Sequence, residues 1–393
     1  MAYAFGASSE SIIHEVMFLT TTAWTPSFDC RAIVTTIGAG GSGGAVDGTN
    51  TSTAYCAAGG GAGGVAKSLL TLVSGTSYTA TIGAGGAYAT GNAAGSIGGN
   101  STFGETGETV LMTANYGSGG AYDTNGGVSS ATGGAGGAAS GGNIFNATGG
   151  AGGNATVPYW GGGYHVSIGG GGAAGIFGLG HRGGHGQCQD STNYGYNKTA
   201  AGAGAGVWGE GGDAWNTRGT NTYVNAMGGS AWGKGYSPAQ ASSFDPITDG
   251  VDWRPNMYNY DFKPRGLYPL SQVHDDKLTD AGQTMQGQSV SIFDGLVGGP
   301  AMRTLHDYYS NAGPGAGGNG QKADSPPYQS GFAMPGLFGG GGGQANYSGS
   351  GSTYGAAGSF GAGGGGCAAK SSSDSYSGMG GGGLVVISIV EMF

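Results

Sequence analysis

The chain has 393 residues, of which 95 are Gly and only 9% are charged, and its formal net charge at pH 7 is −9. Its 13 Lys and Arg residues form no cluster, which argues against nucleic acid and anionic lipid as partners. The four widely separated cysteines match neither a zinc site nor a disulfide framework, so we expect free thiols. No apolar run is long enough for membrane insertion, and residues 1–11 lack the features of a secretory signal.

The chain opens with residues 1–30, which we interpret as an N-terminal attachment segment. Its residues 1–20 mix small polar and apolar side chains, which predicts a short helix or strand, and residues 23–26 form a break. From Arg31 to Ile37 a β-branched strand then runs directly into glycines. The same join, Thr-Ile-Gly-Ala-Gly-Gly, occurs at residues 36–41 and again at residues 81–86. A last strand from Leu384 to Val390 follows four glycines, so we expect the chain to return to the sheet in which it began.

Glycine runs fill most of residues 31–238 and return over residues 313–393. Glycine inside an ordinary helix or strand costs about 0.5–1 kcal/mol relative to Ala, so we expect a structure in which the missing Cβ is an advantage. We predict polyproline-II-like rods (polyglycine II), with three residues per turn, whose N–H and C=O groups pair with neighbouring rods. The expected fold class is all-β with irregular segments, in which a small β-sheet anchors the rods.

Three other structures compete with these rods. Collagen is excluded because Gly does not recur at every third position and only 12 residues are Pro. Disorder is disfavoured because 38% of the residues are apolar and few are charged. A silk-like β stack would need more regular repeats than these runs contain.

Residues 239–312 interrupt the glycine pattern with few glycines, many charged residues and several prolines. We interpret this segment as a loop insertion, rich in aromatic residues, that protrudes from the rods. The predicted organisation is therefore an attachment segment, a first glycine-rich region with strands, the insertion, and a second glycine-rich region that ends in the closing strand.

The joins between strands and glycines resemble those of a known family. Residues 34–44, residues 81–86, the motif at Gly99-Asn100-Ser101-Thr102-Phe103-Gly104 and the closing Gly383-Leu384-Val385-Val386-Ile387 resemble the glycine-rich domain of bacteriophage tail fibres. The glycine runs are also similar to those of the tip adhesins of T-even-type phages. This resemblance implies a sandwich of parallel glycine helices whose variable loops bind the host receptor. It covers the two ends of the chain well, the middle only in composition, and residues 239–312 not at all.

Aromatic side chains stand between the glycine runs, where rods must turn, and in the insertion. Tyr and Trp supply a large contact area at a small entropy cost, which is typical of adaptable binding loops. Their alternative role is to cap rod ends or to fill gaps between subunits. The candidate receptor-binding residues are Tyr159, Trp160, Tyr164, Tyr194, Tyr196, Trp208, Trp215, Trp253, Tyr258, Tyr260, Tyr268, Tyr347 and Tyr354.

Several patterns that can carry chemistry are better explained by chance or by solvated loops, so we predict no catalytic, metal or cofactor site. Residues 228–234 have the spacing of a phosphate loop, but Gly235 replaces the Ser or Thr that would hold magnesium. Residues 40–44 match the nucleophile motif of hydrolases without a helix after them. The remaining patterns are His181, His185 and Cys188 as metal ligands, and His274-Asp275-Asp276 and His306-Asp307 as hydrolytic pairs.

These observations together favour a non-enzymatic receptor-binding protein at the tip of a phage tail fibre. Its expected partners are a bacterial surface receptor, either protein or glycan, and other tail-fibre subunits. We expect a homotrimer or the cap of a trimeric fibre, located in the virion after synthesis in the host cytoplasm and release by lysis. The alternatives are a purely structural tail component and, third, an enzyme that depolymerises host glycans.

Overall fold

The computed structural model describes residues 14–48, 54–124, 129–159, 164–168, 180–189, 197–206, 210–216, 222–225, 239–240, 310–311, 317–318, 321–323, 333–335, 338–346, 352–370 and 374–393. Within these ranges the protein is all-β, with several small sheets, and they contain no closed barrel. No helix of the length and apolar character needed to cross a bilayer occurs in the same ranges.

The described residues form short strands along the whole chain. The first ten are β1 (His14–Phe18), β2 (Thr22–Trp24), β3 (Cys30–Ile37), β4 (Ala45–Gly48), β5 (Ala54–Ala57), β6 (Val65–Leu72), β7 (Tyr78–Thr81), β8 (Ser101–Glu105), β9 (Val110–Ala114) and β10 (Tyr122–Asp123). The next ten are β11 (Ser129–Ala131), β12 (Ala139–Ser140), β13 (Phe145–Ala147), β14 (Ala155–Tyr159), β15 (Tyr164–Ile168), β16 (Gly186–Gln189), β17 (Asn197–Ala201), β18 (Ala214–Asn216), β19 (Thr222–Asn225) and β20 (Ala239–Gln240). The last eight are β21 (Ser310–Asn311), β22 (Gln321–Ala323), β23 (Ala333–Met334), β24 (Gln344–Asn346), β25 (Thr353–Tyr354), β26 (Cys367–Lys370), β27 (Ser375–Tyr376) and β28 (Leu384–Met392).

Two antiparallel sheets pack face to face at one end of the molecule, which we call the near end. Their strand orders are β1-β28-β3-β6-β13 and β12-β9-β8-β7-β2. Alternate residues of β3 point inward, as its burial pattern shows, because successive side chains of a strand face opposite sides. The buried core between the sheets includes Val34, Leu72, Tyr78, Phe103, Met112 and Ile387. Tyr78 and Phe103 stack with their ring centroids 5.6 Å apart.

Glycine-rich segments, the rods, extend from these sheets, and the rod at residues 38–44 lies at the centre of the body. All of its residues are buried. Its N–H groups donate to three different rods in strict succession, so that every third residue faces the same neighbour. Gly38, Gly41 and Gly44 donate to residues 58–64, Ala39 and Ser42 to residues 96–99, and Gly40 and Gly43 to residues 378–381, at N···O distances of 2.9–3.1 Å. Three residues per turn is the repeat predicted for polyglycine II.

The carbonyl groups of the central rod accept hydrogen bonds from three further rods. Ala39 and Ser42 accept from Gly117 and Gly120, Gly41 accepts from Gly364, and Gly40 accepts from Gly86. The central rod is therefore surrounded by six others, and all of its N–H groups are satisfied by backbone carbonyls without water.

The close approach of the rods explains why they are made of glycine. A Cβ atom added at Gly40 or Gly41 would lie well under 3.0 Å from a backbone carbonyl of Ala362 or Ser118, closer than real Cβ contacts. Ala39 and Ser42 stand three residues apart in the same rod, so their side chains leave it in the same direction. One face of a rod therefore tolerates small side chains while the others require glycine.

At the opposite end, the far end, four sheets stack as layers. Layer 1 is β25-β27, layer 2 is β22-β24-β26-β4, layer 3 is β10-β5-β15-β17-β19, and layer 4 is β11-β14-β16-β18-β20. Small residues fill the spaces between layers: Ala57, Ala201 and Ala368 with Val46 and Tyr55 lie between layers 2 and 3, and Cys56, Cys188, Ala155 and Val157 lie between layers 3 and 4. Neighbouring strands of layers 1 and 2 are parallel, as are those of layers 3 and 4 apart from β10 and β11.

The predicted return of the chain to its first sheet is confirmed. The closing strand, β28, lies between β1 and β3 and pairs with both in antiparallel register, with Ile387 opposite Val34 and Val16. The repeated Thr-Ile-Gly-Ala-Gly-Gly join also marks strand-to-rod transitions, at the ends of β3 and β7. Residues 14–18 and 22–24 of the predicted attachment segment are edge strands of the two near-end sheets. The predicted insertion at residues 239–312 lies outside the described residues, apart from residues 239–240 and 310–311.

The four cysteines are free and buried, as predicted from their spacing. Burial raises the pKa of Cys30, Cys56 and Cys367, so these thiols stay protonated and unreactive in mildly alkaline solution. We expect an aromatic disulfide reagent at pH 8 to detect no thiol in the native protein and four after unfolding in guanidinium. A thiol that reacts in the native protein at the rate of free cysteine would contradict this.

Candidate binding surface at the far edge

The outermost border of the layers, which we call the far edge, is where the chain reverses direction. Apart from β10 and β11, which run in the opposite sense, strands of layers 2 and 4 run toward this border, and the strands that follow them in layers 1 and 3 run back. The chain reverses between β4 and β5, β14 and β15, β16 and β17, β18 and β19, β24 and β25, and β26 and β27. Each reversal passes from one layer to the next, so side chains from many distant segments are brought to one border.

Several of the predicted aromatic residues have described backbone at or next to the far edge. Tyr159 is the last residue of β14 and Tyr164 the first of β15, on the two sides of one reversal. Trp215 lies in β18 and Tyr354 ends β25. Of these four residues, only Tyr354 has a described side chain, and it is half-buried.

The other predicted residues lie outside the described residues, and only their positions in the chain relate them to the fold. Three of these positions fall within the β14–β15 and β16–β17 reversals, and Tyr347 directly follows β24. Trp208 instead falls at a junction between two rods, at the ends of those rods that lie away from the far edge. The residues concerned are Trp160, Tyr194, Tyr196, Trp208, Trp253, Tyr258, Tyr260, Tyr268 and Tyr347.

Three tyrosines from distant parts of the chain form a continuous row of rings beside layer 1, which we call the tyrosine ladder. Tyr354 and Tyr376 are register partners in parallel strands, and their rings stack at 4.8 Å between centroids with 12° between planes. Tyr88 meets Tyr376 edge to face at 5.9 Å with 64° between planes, and we call the junction of these two rings the corner. The Tyr88 residue is 51% exposed. The ladder is therefore an aromatic surface that solvent reaches.

Backbone hydrogen bonds hold the ladder in place from both sides. Next to Tyr88, the N–H of Ala89 donates to Oγ of Ser377 at 2.8 Å, and the N–H of Ser377 donates to the carbonyl of Ala89 at 2.9 Å. The N–H of Tyr354 donates to Oε1 of the buried Gln344 at 2.7 Å. Since these partners belong to rods and sheets, the rings need little ordering when a ligand binds.

One carboxylate is hydrogen-bonded to a ring of the ladder, and a second is hydrogen-bonded to the backbone next to it. Oη of Tyr376 donates to Oδ2 of the exposed Asp374 at 3.4 Å, and the negative charge of Asp374 is the main cause that raises the pKa of Tyr376. The N–H of Ser375 donates to Oδ1 of Asp47 at 2.7 Å, and the N–H of Asp47 donates to Oδ1 of Asn92 at 2.9 Å. The ladder therefore combines aromatic faces with a negative electrostatic environment.

Sequence reasoning identified Tyr354 but missed the other two rings and both carboxylates. Tyr88 and Tyr376 also stand beside glycine runs, so the same rule applied to every aromatic residue would have included them. No sequence signal joins them, because 266 positions separate Tyr88 from Tyr354 (354 − 88). Their proximity follows from the pairing of rods.

Two of the patterns that resembled chemical motifs occupy structural positions, at Ser42 and at His185 with Cys188. Residues 228–234, His274-Asp275-Asp276 and His306-Asp307 lie outside the described residues. Ser42 is buried in the central rod, and its Oγ accepts a hydrogen bond from the N–H of Ser96 at 2.8 Å. His185 accepts one at Nδ1 from the N–H of Asn154 at 2.8 Å, while Cys188 lies in the core between layers 3 and 4. Within the described ranges, no three His, Cys, Asp or Glu side chains lie close enough to hold a metal ion.

Comparison with known proteins adds one finding. A family model described as a glycine-rich domain matches residues 18–250, which is more than half of the chain. None of the curated proteins with which the chain was compared matches it. The matched region begins in β1 and includes the central rod and every strand of layers 3 and 4.

Proposed function

The chain belongs to the glycine-rich domain family, and we propose that it is the receptor-binding protein at the tip of a bacteriophage tail fibre. It attaches the virion to the host surface through aromatic side chains at the far edge and catalyses no reaction. The observation that carries this proposal is the collection of many chain reversals at one border, at the opposite end of the rods from β1 and β28.

The packed rods suit such a role because they give the far edge a rigid support. Each rod bonds to several neighbours, so residues at one reversal can change without altering the backbone pairing that positions the others. Binding surfaces are more effective when the supporting backbone is already ordered, since less entropy is lost on contact. Tyr, Trp, Gly, Ser and Asn, which are abundant in this chain, are also typical of binding loops.

The near end would then face the fibre. It carries the exposed apolar side chains Met17, Leu19, Met392 and Phe393, of which Phe393 is 65% exposed. Such residues are suited to burial against other tail-fibre subunits. We propose that the protein acts as a homotrimer or as the cap of a trimeric fibre, within a virion released by lysis.

Adsorption to cells tests the function directly. Fluorescently labelled full-length protein is mixed with a panel of bacterial strains, cells are sedimented, and bound protein is measured. We expect saturable binding to susceptible strains, and we expect pre-incubation with the protein to reduce infection of the same strains. A matched sample unfolded in guanidinium and diluted controls for nonspecific adhesion.

Each outcome separates the proposal from its alternatives. Protein that binds no strain and does not reduce infection would indicate a structural tail component. Release of shortened glycans or new reducing ends from cell envelopes would indicate a depolymerase and would contradict the non-enzymatic role.

A further inference from the structure

The tyrosine ladder has the chemistry of a site for a positive charge. Aromatic faces attract cations through the ring quadrupole when the cation lies within about 6 Å of the ring centroid. Here Tyr88 and Tyr376 meet edge to face at 64°, with centroids 5.9 Å apart, and Tyr88 is 51% exposed, so a cation placed at their corner would lie on the exposed surface of Tyr88 beside the Tyr376 ring. We propose that this corner binds the cationic side chain, Lys or Arg, of a loop on a host surface protein.

The carboxylates beside the rings add the charge complementarity that such an occupant requires. Asp374 is hydrogen-bonded to the phenol of Tyr376, and Asp47 holds the adjacent residue Ser375. Around the ladder, no described side chain is positively charged: Arg31 and Lys67 lie at the near end, and Arg182 pairs with Glu210 and Asp213. The net charge of the chain, −9, also favours a cationic ligand.

A Lys or Arg side chain fits this surface better than a compact ion does. Its methylene stem can lie along exposed aromatic carbon while its charged head reaches the carboxylate of Asp374. The stacked ring of Tyr354 extends the apolar surface beyond the corner. The inference rests on the proposed function, because it names the chemistry that the far edge recognises.

A titration of the purified full-length protein tests the site without cells. The probes are tetramethylammonium, a trilysine peptide, and tert-butanol as a neutral molecule of similar shape to the first. In protein with ¹³C-labelled tyrosine, we expect the ring signals of Tyr88, Tyr354 and Tyr376 to shift saturably with the two cations and not with tert-butanol. Equal shifts with tert-butanol would overturn the cation assignment.

Substitutions then locate the site. Tyr88→Leu and Tyr376→Leu should each weaken binding of both cations about three- to fivefold, since a ring face is lost at an exposed site. Tyr376→Phe keeps the ring and should leave the affinity unchanged. Asp374→Asn should weaken binding, and Tyr116→Leu, at an exposed ring on the flank of a rod, is the matched control that should change nothing. Unchanged affinity in both Leu variants would overturn the proposal.

A separate variant is needed at Lys370. This residue is the last of β26 and pairs with Gly48, and its side chain is not among those described. If the corner is open to external cations, Lys370→Gln will bind trilysine as tightly as the unchanged protein. Much tighter binding would mean that the Lys370 ammonium already occupies the corner in the unchanged protein, and would overturn the assignment of an external cation.

Cell adsorption distinguishes failure of this inference from failure of the proposed function. If the unchanged protein binds cells while Tyr376→Leu binds equally well, the ladder is not the contact, although the function stands. If the unchanged protein binds no strain, the function itself fails, whatever the titration shows. We expect protease treatment of the cells to abolish adsorption; adsorption that survives protease but is lost on acetylation of surface amines would assign the cation to a glycan and overturn the protein partner.

Discussion

Replacing Gly380 by Ala will destabilise the fold by about 3 kcal/mol or more, whereas the same substitution two residues later, at Gly382, will be tolerated. A Cβ at Gly380 would lie well under 3.0 Å from the backbone carbonyl of Gly40 in the central rod. A Cβ at Gly382 would meet its nearest neighbour, the carbonyl oxygen of Gly83, at 3.9 Å, which is ordinary contact. Because the clash at Gly380 is with backbone, no side-chain rotation can relieve it.

The measurement is unfolding in guanidinium, followed by circular dichroism, on the two variants and the unchanged protein. Gly382→Ala should unfold within about 1 kcal/mol of the unchanged protein, since Ala also restricts the unfolded chain. A Gly380→Ala chain that yields no soluble protein beside a normal yield of Gly382→Ala would support the same conclusion. Identical unfolding midpoints for the two variants would show that rods do not approach as closely as the structure indicates.

The amide protons of the central rod, residues 38–44, will exchange with deuterium only when the whole molecule opens. Each of these N–H groups donates to a carbonyl of another rod, and none of the residues is exposed. Exchange through global opening is slower than in a free peptide by about 10³–10⁸-fold, depending on stability. Gly107, in an exposed turn with φ of 82°, should exchange rapidly and serves as the internal control.

Hydrogen–deuterium exchange with mass spectrometry of peptides, or with two-dimensional NMR, distinguishes these residues. Protection that is confined to the strands of the near end, with free exchange along residues 38–44, would mean that the rods are not a hydrogen-bonded core. The rods could then not serve as a rigid support for the far edge.

The strands and the rods were predictable because their signals are local. The β-branched run from Arg31 to Ile37 predicts a strand. The excess of Gly beside it indicates an arrangement that benefits from a missing Cβ. The closing strand was predictable for the same reason. The threefold repeat followed from the one regular helix in which glycine backbones can pair sideways.

The order of the rods could not be predicted, because glycine carries no side chain that distinguishes one neighbour from another. Residues 38–44 contact six rods from distant parts of the chain, and nothing in a Gly-Gly-Gly segment specifies which they are. The tyrosine ladder depends on that order, since Tyr88, Tyr354 and Tyr376 meet only once their rods are in place. For this reason the sequence indicated the residue types of a binding surface but not which of them would meet.

The position of β28 between β1 and β3 means that the sheet at the near end cannot be completed early in synthesis. Its two flanking strands leave the ribosome more than 300 residues before the strand that must be inserted between them. A polypeptide cut short anywhere before residue 384 would keep an open gap with two unpaired strand borders, which favours aggregation. Full-length translation is thus a condition for closure, and incomplete products are exposed to removal by proteases before they can enter an assembly.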